Sequence, residues 1–130
     1  DAMRSISTTF GPHTGAQWLA LSRPMLRPLG DGTGALTLHY DPAITTPFAG
    51  VTEASAAQGE ALLWQLYDAI SAQTLLLRGA QSDLLSRDTA MAMTRRGPKA
   101  RLVEFDGVGH APTLVQPDQV AVVSDFLLAP

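Results

Sequence analysis

Apolar residues are spaced very differently in the two halves of this 130-residue chain. From residue 55 onward the spacing is regular. Leu63, Leu66, Tyr67 and Ile70 recur at i, i+3, i+4 and i+7, which predicts one face of a helix over roughly 55–71. The run TLLL at 74–77 is short, continuous and bounded by Gln73 and Gly79, as in a strand buried on both faces. A second helix is expected at about 87–96. Ser86 or Arg87 starts it, Ala90, Met91 and Met93 supply apolar contacts, and Gly97-Pro98 stops it. ARLVEF at 100–105 predicts another strand, and residues 107–113 a loop. Pro117 fits the first turn of a last helix, with Val120, Val123 and Leu127 as its inner stripe. Helix, strand, helix, strand, helix implies parallel strands joined by right-handed crossovers.

Residues 1–59 lack this order. FGPHTG at 10–15, RPLGDGTG at 27–34 and DPAITTP at 41–47 are dense in turn formers and interrupt any long element. Thr14 can cap a short helix through Trp18, Leu19, Leu21 and Met25 that ends before Pro28, and ALTLHY at 35–40 alternates as an extended segment would. This half is expected to be an irregular, mainly helical cover, and the division is drawn as 1–54 and 55–130.

Composition narrows the function classes. Hydrophobic residues make up 45% and charged residues 16%, enough apolar material for a real core. A net charge of -3 argues against a nucleic-acid partner, which would call for a basic stripe. No apolar run approaches the roughly 20 residues of a membrane-spanning helix. The absence of cysteine removes thiolate nucleophiles and zinc–thiolate sites. Eight of the nine basic residues being Arg, together with frequent Ala, suggests a bacterial, GC-rich coding sequence. The chain starts at Asp1 without a leader pattern, which reads as a cut inside a longer protein, and the default compartment is cytoplasmic.

The chemistry centres on Asp83, in RGAQSDLLS after the first core strand, and His110, in FDGVGHAP after the second. Ligand sites in parallel α/β sheets lie at the carboxyl ends of strands, and neighbouring strands are about 4.8 Å apart, so these two loops can meet. A carboxylate holding one imidazole nitrogen leaves the other free to act as a base. Asp106, four residues before His110, is the rival acid.

TLLLRGAQSDLLS, a helix, ARLVEFDGVGHAP and a closing helix together resemble the C-terminal portion of α/β-hydrolase-fold enzymes, over roughly residues 60–130. The resemblance implies Asp83 as the catalytic acid and His110 as the catalytic histidine. Arg78, Gly79, Leu84 and Leu85 match the surroundings of the acid, and Gly107, Gly109 and Pro112 those of the histidine. It places 1–54 where the family inserts a variable cap. No G-x-S-x-G occurs: Ser5, Ser7, Ser22, Ser55, Ser71, Ser82, Ser86 and Ser124 all lack the flanking glycines. The nucleophile and the oxyanion-hole loop are therefore expected in an N-terminal half outside this chain, which alone would be inactive.

By that resemblance the complete enzyme hydrolyses an ester or similar acyl bond of a small, mostly apolar molecule through a Ser-Asp-His triad, without metal or cofactor. Dehalogenase, epoxide hydrolase, C–C hydrolase, lyase or perhydrolase chemistry on the same frame is the alternative, as is a non-catalytic binding domain. The partners expected are a small-molecule substrate and either the missing half or a second copy, covering the strand edge flanked by Leu75–Leu77. Trp64, His39 and Tyr40 are candidates for lining a substrate pocket. The three histidines and the carboxylates show no metal-ligand spacing.

Overall fold

The computed structural model describes residues 10–129. Residues 1–9 of the expected cap, with Ser5 and Ser7, and Pro130 at the end of the expected core lie outside that range. The described residues divide into two compact units, 13–61 and 10–12 with 62–129.

The first unit is built from local signals. Helix α1 (Gly15–Ser22) begins at Thr14, whose hydroxyl accepts from Gln17 N–H while the Gln17 side chain accepts from Thr14 N–H, a complete capping box. A 3-10 turn over Arg23–Met25, with Pro24 in its first turn, leads into β1 (Leu26–Pro28). β1 pairs antiparallel with β2 (Leu36–Leu38), Leu26 opposite Leu38. The intervening loop is held by Asp31, which accepts from both the backbone and the hydroxyl of Thr33. Asp41 then caps a 3-10 segment, Pro42–Phe48, through Ala43 N–H. The helix expected to run through Met25 ends at Ser22, so β1 begins inside its expected span, and the second 3-10 segment falls in a stretch that the sequence marks only as turn-rich. Three-residue strands and 3-10 turns bury too little to leave an apolar period.

Helix α2 (Glu53–Asp68) runs across the division between the units. No residue on it is buried. The stripe predicted from its spacing exists, but Leu63 is 66% exposed and Leu66 and Ile70 are exposed as well. Tyr67 is half-buried and donates its hydroxyl to Met93 O at 2.8 Å.

In the second unit, β3 (Leu75–Gly79) pairs parallel with β4 (Arg101–Phe105), Leu75 opposite Arg101 and Gly79 opposite Phe105. Helix α3 (Arg87–Met93) makes the crossover, with Ser86 as N-cap accepting from Thr89 N–H. It ends at Met93, before the expected stop. Gly97 follows at φ +53°, and a Cβ there would lie 2.6 Å from Tyr67 O, so the turn backs directly onto the end of α2. Arg96 completes that junction: its guanidinium lies 4.3 Å over the Trp64 ring and makes two hydrogen bonds to the Asp68 carboxylate. The buried residues Ala90, Ala100, Phe105 and Val108 belong to this unit.

The last helix, α4 (Pro117–Leu128), turns a different side inward than its apolar spacing predicts. Gln119 is buried, and Val122, Val123 and Phe126 are half-buried, while Val120 and Leu127 face solvent. A buried amide is tolerated because it is satisfied: Gln119 Oε1 accepts Leu114 N–H at 2.8 Å.

Candidate active site

Because β3 and β4 are parallel, the chain leaves both at the same edge of the sheet. Backbone pairing then continues past the strand ends. Ala80 N–H donates to Phe105 O and Gln81 N–H to Val108 O, each at 2.9 Å. The loop after β3 is thereby tied to the loop after β4. Gly79 makes this possible: a Cβ at that position would sit 1.8 Å from Gly109 O and 2.4 Å from Val108 O. The histidine loop lies directly on the backbone of residue 79, and any side chain there would lift it off.

Arg78 holds the first of these loops from inside. It is 5% exposed. Its Nε donates to Leu85 O at 2.8 Å, and Nη1 donates to Glu104 Oε1 at 2.7 Å and to Ala80 O at 3.4 Å. One planar guanidinium thus joins the beginning and end of the loop and fixes both to β4. Arg87 adds a longer contact to the other Glu104 oxygen, 3.8 Å.

Within this frame Ser82 and His110 meet. Ser82 N–H donates to Gly79 O at 3.0 Å, closing the turn, and Ser82 Oγ accepts Leu85 N–H at 3.0 Å. The same Oγ lies 3.3 Å from His110 Nδ1. Asp83 is the next residue, exposed at the rim of the loop. Among the described residues no hydrogen bond or ion pair joins Asp83 to His110, nor Asp106, which is exposed at the end of β4. Beyond His110 the loop is held in a strained form. Leu114 has φ +56°, and Gln119 captures its N–H; Gln116 Nε2 donates to Pro12 O at 2.7 Å.

The remaining candidates lie elsewhere. Trp64 is half-buried, under Arg96 and edge-on to Tyr67 at 5.7 Å between ring centroids. His39 and Tyr40 follow β2 in the other unit, both exposed, with His39 N–H extending the hairpin to Met25 O at 2.8 Å. A cavity of about 280 Å³ bounded by Thr74, Pro98, Lys99, Arg101 and Phe126 contains neither Asp83 nor His110. Among the described residues, no group of three or more His, Asp or Glu is placed to hold a metal ion. No helix among them is long and apolar enough to cross a membrane.

Four residues of this site carry no sequence signal of their roles. Ser82 is screened as a nucleophile by its flanking residues, which says nothing of its reach to His110. Arg78 and Gly79 stand in the motif only as surroundings of the acid. Gln119 sits beside an apolar position and is hidden by it.

The chain is 45% identical over 126 residues to a 3-hydroxybutyrate-oligomer hydrolase from Cupriavidus necator; the match covers 95% of this chain and 43% of that protein. Its structure is similar to the crystal structure of an alpha/beta hydrolase from Novosphingobium aromaticivorans, with a TM-score of 0.73 and 32% identity over 97% of this chain and 43% of that one. The chain thus spans less than half the length of each. No family model matches it.

Proposed function

The chain has part of an α/β-hydrolase fold, and we propose that it is the C-terminal portion of a hydrolase, carrying the acid and the base while the nucleophile lies in the rest of the protein. His110 takes the proton of an attacking serine and passes it to the leaving group. Asp83 offsets the charge of the imidazolium. The oxyanion is held by backbone N–H groups outside this chain. The observation that carries this reading is the clamped pair of strand-end loops, with Ser82–Asp83 on one and His110 on the other, and Ser82 Oγ 3.3 Å from His110 Nδ1.

The substrate is an ester of a small molecule. Its narrowest form is a short oligomer of a hydroxy acid, as the name of the Cupriavidus protein suggests. The partner is the rest of the same protein. β3 has β4 on one edge and, among the described residues, no strand on the other, which supports further strands completing the sheet. The exposed Leu62, Leu63, Leu66 and Ile70 support the same reading. Trp64, His39 and Tyr40 are proposed as pocket residues on the sequence reading alone.

The test is hydrolysis of a 3-hydroxybutyrate dimer and a generic short-chain ester by the full-length protein. His110→Ala should lower kcat by about 10³-fold or more with an unchanged unfolding midpoint. Asp83→Asn should cost somewhat less. The 130-residue chain alone should be inert. Full activity of a folded His110→Ala protein would sink the assignment.

A further inference from the structure

We infer that Gln119 is a positioning residue for His110: from inside the fold it holds the left-handed bend at Leu114 that ends the histidine loop. This rests on the proposed function, in which His110 has a proton to move. It gives a part in turnover to a residue that lies outside both strand-end loops.

Two costly features meet in one hydrogen bond. Gln119 is 2% exposed, on the face of α4 that also carries the half-buried Val122, Val123 and Phe126. An amide buried there is a net cost unless it is bonded, and an apolar side chain would fill the space without that cost. Leu114 has φ +56°, a conformation that a residue other than glycine keeps only where its surroundings fix it. The two are joined by Leu114 N–H, which donates to Gln119 Oε1 at 2.8 Å. This bond is not an ordinary helix cap. Gln119 is the third residue of α4, the place from which a capping-box glutamine reaches back to the N-cap N–H. Here the N-cap is Gln116, and the reach goes two residues beyond it.

His110 lies between two pins. On its N-terminal side Val108 O accepts Gln81 N–H at 2.9 Å, and Gly109 O rests against the bare Cα of Gly79. On its C-terminal side stands Leu114, held by Gln119, with Ala111, Pro112 and Thr113 between. Pro112 has a fixed φ, so this short stretch carries a change at Leu114 back to His110 instead of absorbing it. The ring has little room to drift. Its Nδ1 is 3.3 Å from Ser82 Oγ, near the limit of a hydrogen bond, and a general base must come as near to the proton it takes.

The experiment uses the full-length protein and a 3-hydroxybutyrate dimer, at a temperature where circular dichroism shows each variant folded. Gln119→Leu keeps the bulk and removes the acceptor. It should lower kcat about tenfold with KM little changed, the cost of a misplaced base. Adding Leu114→Gly should bring kcat back to within about threefold of the wild type, because glycine takes a positive φ without being held. If Gln119→Leu does not fold, Gln119→Ser, too short to reach Leu114 N–H, takes its place in both measurements. A helix cap alone would give another pattern: a lower unfolding midpoint, wild-type kcat in the folded variant and no response to Leu114→Gly. That pattern overturns the inference, as does a loss of kcat that Leu114→Gly leaves uncorrected. His110→Ala, assayed alongside, separates the two readings. If it is inert while Gln119→Leu turns over like the wild type, only the inference falls. If it stays fully active, the proposed function falls and the inference with it.

Discussion

Residues 13–61 and residues 62–129 are held by hydrogen bonds of different reach. In the first stretch the caps and turns are closed by side-chain bonds that span two or three residues: Thr14 with Gln17, Asp31 with Thr33, Asp41 with Ala43, Thr52 with Ser55. Nothing in that stretch is buried. In the second, Tyr67 reaches Met93, Arg96 reaches Asp68, Arg78 reaches Glu104 and Ser82 reaches His110. Every buried residue among those described lies there. Caps and Asx turns satisfy the backbone where it stands and leave the side chains free to vary. Bonds across 26 or 28 residues require the chain to be folded back on itself. A site that needs two groups in fixed register belongs with the second kind, and the candidate acid and histidine are found there.

Substituting glycine by alanine should separate the two regions most sharply. At Gly79 the new methyl meets backbone oxygens that cannot swing aside, so Gly79→Ala should cost about 3 kcal/mol in denaturant unfolding and pull the two site loops apart. At Gly59, with nothing within 4 Å and a helical backbone, Gly59→Ala should stabilise by about 0.5–1 kcal/mol. Equal effects would show that the loops are not in contact as described.

Next comes the bridge beneath the acid loop. Arg78→Met removes a buried cation and strands two carbonyls and Glu104. Because the Glu104 side chain is partly exposed and can rehydrate, the expected loss is about 2 kcal/mol, below that of a fully buried pair. A neutral result in thermal melts would mean that the loop is held by its backbone bonds alone.

The smallest effect belongs to the exposed pair of Asp68, at the end of α2, and Arg96, after α3. Hydrogen bonds from Arg96 hold the Asp68 carboxyl below its usual 3.8, with their Coulomb attraction adding and partial desolvation opposing. A depressed acid stabilises above its unfolded value and loses that contribution as pH falls through its folded one. Between pH 5 and pH 2 the wild type should therefore lose slightly more stability than Asp68→Asn. Both residues are exposed, so the gap should narrow further in high salt. Parallel pH profiles would show that the pair contributes nothing.

Much of this arrangement was legible beforehand. The 3.6-residue period gave α2 to within a few residues, and Thr14, Ser86 and Pro117 marked helix starts because capping is decided within one turn. TLLL and ARLVEF became the paired strands. The stripe on α4 did not survive, since Gln119 is inside and Val120 outside. Residue hydrophobicity favours Val there, but a strained Leu114 N–H offers the amide a partner that no apolar count registers.

Sequence alone determined the element order from α2 onward, the two loops that carry Asp83 and His110, and the local caps, because each depends on neighbours within about four positions. Tertiary structure decided that Ser82, not Asp83, touches the imidazole, that Arg78 is buried beneath the loop, and that Gly79 must be bare. Those outcomes depend on how one parallel strand end lies against another, and a register in space is not written in the spacing of either segment.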